Sequence, residues 1–206
     1  MTNGWGKVME SPSAGIPGIR SVFLDRDGVL NEKMPEGRYV TRPEEFRVLP
    51  GVAQAIRRLN EAGLGAVVVT NQRGIARGLY TLEDLEAIHA ELQRILTREG
   101  AHIDGFFVCP HDEHSCNCRK PLPGLFEQAA SKFPEITAAT SAMIGDSLVD
   151  IEFGRRLGMK TIYIEGDTIE SSAQLRRPID AEAAKLADWR FASLPLAVDA
   201  ILAAGK

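Results

Sequence analysis

Short apolar runs that alternate with amphipathic segments constrain the fold of this 206-residue chain more than any other feature. The runs at 22–24, 66–69 and 142–144 are typical of buried strands, because no polar residue interrupts them. Between such runs, apolar residues recur at helical spacing, as they do after Thr81, a typical helix-capping residue. This alternation predicts an α/β fold in which helices cover both faces of a doubly wound parallel sheet.

A Rossmann-like order of elements can be assigned along most of the chain. We predict strands over 20–25, 64–70, 103–108, 141–145, 161–164 and 189–192. We predict helices from Val52 to a stop at Gly63, from Thr81 to Gly100, after Pro123, over 148–157 and over 194–203. Residues 1–18 are predicted to form a flexible leader, residues 19–206 a single domain, and residues 166–178 a polar loop.

The predicted site is open, because neither 28–67 nor 72–120 leaves room for a large cap domain beside the predicted elements. We expect only three loops to cover it, at 32–40, 73–80 and 109–118. Substrate specificity would then come from these loops and not from a moving lid.

Composition excludes several classes of partner. The net charge of −4 gives no electrostatic case for binding nucleic acid or a membrane surface. No run is long and apolar enough to span a bilayer, and the N-terminus lacks the apolar core of a signal peptide. We therefore expect a cytoplasmic protein, and we also expect a monomer.

Four polar blocks lie where loops leave the predicted sheet. They are Asp25-Arg26-Asp27-Gly28, Thr70-Asn71, Arg119-Lys120-Pro121 and residues 145–150. Because the carboxyl ends of parallel strands meet at one edge, the blocks are expected to converge there. A carboxylate pair, a hydroxyl, a lysine and a second acidic cluster indicate phosphoryl transfer through an aspartate nucleophile, assisted by a divalent cation.

The first block carries the predicted chemistry. A bound Mg²⁺ would favour the ionised form of Asp25, which could then attack a phosphate whose charge the metal offsets. Asp27 is the expected proton donor to the leaving oxygen and later the base for the hydrolytic water. The tripeptide alone would more often be a surface turn, and its position after an apolar run favours the catalytic interpretation.

The other blocks supply supporting groups. The Thr70 hydroxyl can donate to a phosphate oxygen, although a β-branched residue that simply ends a strand is as good a reading of that position. Lys120 can stabilise charge on the transferring group. Asp146 is expected to ligate Mg²⁺ directly, and Asp150 to support it by holding a metal-bound water or by favouring the helix start.

A second signal is the clustering of all three cysteines within residues 109–118. The pattern Cys-x-His, four residues, then Cys-x-Cys suits a closed tetrahedral Zn²⁺ site, with His114 as a reserve ligand. Such a zinc would be structural and would fix the loop that presents Arg119 and Lys120. The predicted ligands are Cys109, His111, Cys116 and Cys118.

These blocks resemble the four motifs of the haloacid dehalogenase superfamily of aspartate-dependent phosphatases. Residues 23–28, 70–78, 109–111 and 116–121 are similar to the subfamily that removes the C7 phosphate of D-glycero-D-manno-heptose 1,7-bisphosphate, a step toward nucleotide-activated heptose for bacterial surface polysaccharide. The resemblance covers roughly 20–166. It implies the haloacid dehalogenase fold, a phospho-aspartate intermediate on Asp25 and a sugar phosphate substrate.

The resemblance also implies roles for individual residues. It places Mg²⁺ at Asp25, Asp146 and the Asp27 carbonyl, and Zn²⁺ at the four ligands given above. Thr70 and Lys120 would contact the phosphate. The residues expected near the rest of the substrate are Asn71, Gln72, Arg73, Arg77, Arg119 and Tyr39.

Three other readings remain open. Histidinol-phosphate phosphatases share the nucleophile motif and the zinc loop, but Arg77 and Arg119 suit a second phosphate or sugar hydroxyls better than an aminoalkyl cation. A receiver-like signalling domain also uses Asp, Thr and Lys on a parallel sheet, yet Asp27 is placed to drive hydrolysis of a phospho-aspartate. The third alternative is a zinc-stabilised binding module without catalysis, which would not need the aspartates and the lysine of the four polar blocks.

Overall fold

The structure is a computed structural model that describes residues 15–35, 37–166 and 180–204. The predicted loop at 166–178, apart from its first residue, and most of the predicted leader lie outside the described residues. Ile16, within the predicted leader, is buried in the core, and its N–H donates to the Ala200 carbonyl at 2.9 Å. The packed fold therefore includes the last residues of that segment instead of beginning at position 19.

The described strands form one parallel sheet, which confirms the predicted fold class. Their order across the sheet is third, second, first, fourth, fifth and sixth along the chain. The first strand lies at the point where the connections change direction, and ligands bind at the carboxyl end of such a position. The strands are β1 Ser21–Leu24, β2 Gly65–Asn71, β3 Gly105–Cys109, β4 Ser141–Gly145, β5 Lys160–Ile164 and β6 Trp189–Phe191.

Helices cover both faces of this sheet. They are α1 Val52–Glu61, α2 Leu82–Arg98, α3 Gly124–Lys132, α4 Leu148–Leu157, α5 Ala181–Leu186 and α6 Leu194–Ala203. One apolar core joins α1, α2 and α6 to the sheet, and a second joins α3 and α4 to the opposite face. Helix α5 packs on α4 through Ala183 and Ala184. None of the helices in the described part of the chain combines the length and apolar character needed to cross a membrane.

Local sequence signals account for most element boundaries. Thr81 is the N-cap of α2, as predicted: its hydroxyl accepts from the Asp84 N–H at 3.1 Å, and the Asp84 carboxylate accepts from the Thr81 N–H at 2.8 Å. The structure begins β3 at Gly105 and not at Ile103. The reason is that the Asp104 side chain accepts the Ala66 N–H at 2.7 Å and replaces a backbone partner. Helix α5 was not predicted.

Candidate active site

The strand ends bring the four polar blocks together at one edge of the sheet. Asp25 follows β1, Thr70 lies at the end of β2, and Asp146 follows β4. Lys120 lies in the segment between β3 and α3. A cavity of about 280 Å³ opens at this edge, and its walls include Asp25, Asp27, Thr70, Lys120 and Asp150.

Lys120 is the centre of the buried polar network. Its ammonium donates to Asp25 Oδ1 at 2.8 Å, to Asp150 Oδ1 at 2.6 Å and to the Val69 carbonyl at 2.8 Å. An ammonium has three N–H donors, so these contacts use all of them. The side chain is 2% exposed, and the lysine is therefore fixed between two carboxylates.

The charges of this network are mutually dependent. Burial raises the pKa of Asp25 to about 6, although Lys120 acts in the opposite direction. Burial favours the neutral form of Lys120, but Asp150 and Asp25 outweigh it and raise the pKa of the lysine. The charged Lys120 is thus paired with Asp25, the predicted nucleophile.

Three buried carboxylates can hold a hard cation. Oxygen atoms of Asp25, Asp146 and Asp150 lie within 4.8 Å of one another, and oxygen is the donor that Mg²⁺ prefers. Lys33 Nζ lies 2.9 and 3.0 Å from the two Asp146 carboxylate oxygens. The Lys33 ammonium thus already places a positive charge against Asp146. The three carboxylates together are a donor set that fits the predicted Mg²⁺.

Asp150 reaches the site because Gly145 leaves space for it. A Cβ at position 145 would lie 2.1 Å from the Asp150 Cβ. The Asp150 carboxylate also accepts from the Ser147 hydroxyl at 2.5 Å, and its side chain is 1% exposed. The direct ligation predicted for Asp146 and the supporting role predicted for Asp150 stay predictions.

Asn71 anchors the backbone of Lys120. Its side-chain oxygen accepts the Lys120 N–H at 3.0 Å, and its side-chain nitrogen donates to the Lys120 carbonyl at 3.1 Å. This pair of hydrogen bonds ties the end of β2 to the segment that carries the lysine. A substrate contact of Asn71, as predicted, would use an atom that also makes one of these bonds.

Asp27 lies in a separate hydrogen-bond network. Its carboxylate accepts from Arg26 Nη2 at 2.9 Å, from the Asn31 side chain at 3.0 Å and from the Gln72 side chain at 2.9 Å. Burial alone would raise the pKa of Asp27, but the charge of Arg26 and these hydrogen bonds outweigh burial and lower it. The carboxylate therefore lies at the cavity wall in its ionised form.

The cysteine cluster has the geometry of a zinc site. Cys109 Sγ lies 3.5 Å from Cys116 Sγ and 3.8 Å from His111 Nδ1. Cys118 Sγ lies 3.4 Å from Cys116 Sγ and 3.3 Å from the same imidazole nitrogen. The four donor atoms all lie within 4.8 Å of one another, as the ligands of a closed tetrahedral site must. The reserve ligand His114 does not belong to this group among the described residues.

The other predicted substrate residues fall into two sets. Tyr39, Asn71, Gln72 and Arg119 line the cavity, whereas Arg73 and Arg77 do not. Arg73 pairs instead with the zinc-loop carboxylates of Asp112 and Glu113, the latter at 2.8 Å. Substrate contacts of all these residues stay predictions.

Three further side chains reach the site without having been singled out from the sequence. Arg26 is buried behind Asp27, Lys33 contacts Asp146, and the Tyr80 hydroxyl donates to Gln72 at 2.5 Å. No signal in the sequence pointed to any of the three. Side chains alternate across a strand and its continuation, so Arg26, between two site carboxylates, would be expected to face away from them.

Comparison with known proteins agrees with this geometry. A family model described as haloacid dehalogenase-like hydrolase matches residues 20–158. The D-glycero-beta-D-manno-heptose-1,7-bisphosphate 7-phosphatase of Bordetella bronchiseptica is 40% identical over 141 residues, which cover 68% of this chain and 77% of the relative. The D-glycero-alpha-D-manno-heptose-1,7-bisphosphate 7-phosphatase of Mycobacterium tuberculosis is 42% identical over 137 residues, or 66% and 72% of the two chains.

A solved structure is similar over nearly the whole fold. The D,D-heptose 1,7-bisphosphate phosphatase of B. bronchiseptica, complexed with magnesium and phosphate, superposes with a TM-score of 0.75 and 33% sequence identity. The match covers 90% of this chain and 99% of that one. Fold, strand-end site and sequence relatives agree, and this chain belongs to the haloacid dehalogenase-like hydrolases.

Proposed function

We propose that the protein is a Mg²⁺-dependent phosphatase that hydrolyses the C7 phosphate of D-glycero-D-manno-heptose 1,7-bisphosphate. The observation that carries the proposal is the buried pairing of Lys120 with Asp25 and Asp150 at the carboxyl end of β1. Both the proposed nucleophile, Asp25, and the cation that offsets its charge, Lys120, therefore line the same cavity. Relatives that act on this bisphosphate at 40% and 42% identity support the choice of substrate.

In the first half of the reaction, an Asp25 oxygen attacks the phosphorus atom and the bond from phosphorus to the C7 oxygen breaks. Asp27 gives a proton to the departing sugar oxygen, so the product leaves as an alcohol. The phosphoryl group is then an acyl phosphate on Asp25. Because Asp27 is ionised in the described state, it must take up a proton before this step.

In the second half, a water molecule attacks the phosphorus atom of the acyl phosphate. Asp27, now a carboxylate, accepts a proton from that water, and the bond from phosphorus to the Asp25 oxygen breaks. Inorganic phosphate leaves, Asp25 is again a carboxylate, and Asp27 holds the proton that it gives to the sugar oxygen in the next turnover. Lys120 stays beside the reacting oxygens and offsets their negative charge in both halves.

Two metals complete the proposal. Asp25 and Asp146 would hold Mg²⁺, which when bound offsets the charge of the phosphate oxygens and lets an anionic carboxylate approach. The four zinc-loop ligands would hold Zn²⁺ in a structural role. Arg119 directly follows the last of them and lines the cavity, so an ordered loop would place its guanidinium near the phosphate that is not transferred.

The experiment that tests this function is phosphate release with Mg²⁺ from both anomers of the bisphosphate and from histidinol phosphate. We expect kcat/KM to be at least about a hundredfold higher for one heptose anomer than for histidinol phosphate, a difference of about 2.7 kcal/mol. Preference for histidinol phosphate would contradict the proposed substrate and leave the mechanism intact.

The matched control for this measurement is Asp25→Asn, which removes one charge with little change of volume. We expect it to abolish turnover of every substrate while the circular dichroism spectrum stays that of the native protein. A variant with native activity would refute the assignment of the nucleophile.

A further inference from the structure

Gln72 joins the Asp27 network to Thr70, and its carboxamide is fully engaged. The nitrogen donates to Asp27 Oδ2 at 2.9 Å and to Thr70 Oγ1 at 2.8 Å. The oxygen accepts from the Tyr80 hydroxyl at 2.5 Å and from Arg26 Nη2 at 3.2 Å. The residue is 1% exposed, so water does not compete for these contacts.

The chemistry of the neighbours fixes the direction of this carboxamide. A guanidinium has only donors, so Arg26 must face the carboxamide oxygen. A carboxylate has only acceptors, so Asp27 must face the nitrogen. A flipped carboxamide would place its nitrogen against the donors of Arg26 and its oxygen against the acceptors of Asp27. The neighbours therefore allow only one orientation of the carboxamide.

Tyr80 is held as the second donor to the carboxamide oxygen. Its ring packs on Gly74, where a Cβ would lie 2.3 Å from Tyr80 Cε1. Burial raises the pKa of the phenol, so the hydroxyl keeps its proton. The loop between β2 and α2 thus contributes to the site through a contact that reaches Gln72 and not the cavity.

The consequence concerns the single proton of the Thr70 hydroxyl. Thr70 accepts a hydrogen bond from Gln72, so its own proton must point elsewhere. Within the described part of the chain, no group accepts it, and Thr70 is one of the residues that line the cavity. We propose that Gln72 is a positioning residue that directs the Thr70 proton toward the phosphate, with Arg26 and Tyr80 holding Gln72 in place. This inference rests on the proposed function in one respect: a phosphate must bind in this cavity.

The test is a double-mutant cycle between positions 70 and 72, read out as binding of inorganic phosphate. Calorimetry with saturating Mg²⁺ gives the dissociation constant without any need for turnover. In Gln72→Glu, the carboxylate can only accept, so it captures the Thr70 proton. We expect the dissociation constant to rise about tenfold or more, and we expect the same of Thr70→Val, which has no proton to give.

The cycle separates this mechanism from a simple charge effect. In the Thr70→Val background, Gln72→Glu should weaken phosphate binding by much less than in the native background, because there is no proton left to capture. An equal effect in both backgrounds would show that position 72 acts by charge alone, and would overturn the inference. Failure of the native protein to bind phosphate would also overturn it.

A second variant keeps the test decisive if Gln72→Glu does not fold. Gln72→Met has no charge, leaves the Thr70 proton undirected, and should raise the dissociation constant severalfold in the native background but not with Thr70→Val. Thr97→Val removes an exposed hydroxyl that donates to the Gln93 carbonyl within α2, and should leave binding unchanged. If the native protein binds phosphate and hydrolyses p-nitrophenyl phosphate but no heptose bisphosphate, the proposed function fails and the cycle still decides the role of Gln72.

Discussion

At the scale of single residues, burial determines what each charged side chain does in this site. Arg26 is 1% exposed, donates to Asp27 and Gln72, and lies 6.0 Å from the centre of the Phe46 ring. Lys120 is similarly enclosed between Asp25 and Asp150. Each buried cation is paired with a carboxylate, because a buried charge without a partner is costly.

Removal of Lys120 tests this pairing directly. In Lys120→Met, two buried carboxylates would face each other without their cation. We expect kcat to fall by at least about a hundredfold and the free energy of unfolding to fall by about 3 kcal/mol. Phosphate release and urea denaturation measure the two effects.

The matched control is Lys132→Met, which removes a lysine on the exposed side of α3 that lies over the rings of Phe107 and Phe133. It should leave turnover unchanged and shift stability by less than about 1 kcal/mol. Native turnover in Lys120→Met would contradict the proposal that Lys120 offsets negative charge during phosphoryl transfer.

At the scale of elements, the proposed zinc site in residues 109–118 would connect metal binding to the substrate pocket. The Cys118 ligand is followed directly by Arg119 and Lys120, and Lys120 is tied to the end of β2 through Asn71. Order in the loop therefore determines where both cations lie. A metal bound there would crosslink four residues of an otherwise irregular segment, so its loss would remove that order.

Zinc removal should therefore impair substrate binding. We expect chelation, or Cys116→Ser, to raise KM about tenfold or to expose the loop to proteolysis, while most of the parallel sheet stays folded. Zinc content by mass spectrometry and steady-state kinetics measure this together. Unchanged kinetics in protein shown to be free of zinc would contradict a role for the loop in substrate binding.

Helix α2 carries a histidine that makes stability depend on pH. Burial lowers the pKa of His89 to about 3 from its usual 6.5, and the ring stacks on Phe106 at 4.4 Å. Below pH 6.5 the unfolded chain binds a proton that the folded chain rejects. The contribution of His89 to stability is therefore complete above that pH and is lost as the pH falls toward 3.

A His89→Leu variant has no such proton to reject. Between pH 7.5 and 5, we expect the native protein to lose about 2 kcal/mol of stability relative to this variant, at about 1.4 kcal/mol per pH unit below the pKa of the unfolded state. Urea denaturation at the two pH values measures the difference. The exposed His102→Leu should show no comparable change, and parallel pH profiles for His89→Leu and the native protein would refute the burial effect.

At the scale of the whole molecule, the sequence predicted the features that depend on periodic patterns or on residues close together in the chain. The apolar runs located the strands, and the bounds predicted for α4 and α6 match the structure. The convergence of the polar blocks followed from the parallel topology alone, since strand ends of such a sheet share one edge. The zinc-loop donors converge because their spacing is short.

What the sequence did not predict depends on contacts between distant segments. Helix α5 has six residues, too few for a periodic pattern to be read. Lys33 reaches Asp146 across 113 positions, and Arg26 contacts Gln72 across 46. In a sequence, an arginine or lysine between polar residues is typical of a solvated surface, and only the folded chain shows which carboxylate or carboxamide it meets.

The measurement that tests the central claim most directly is ³¹P nuclear magnetic resonance of the bisphosphate during turnover with Mg²⁺. The spectrum resolves the phosphate on C7 from the phosphate on C1 and both from free phosphate. Our account predicts that, with the native protein, the C7 signal disappears as the signal of inorganic phosphate grows, while the C1 signal persists. With Asp25→Asn, both signals of the bisphosphate should persist. Loss of the C1 phosphate first, or no change with the native protein, would contradict it.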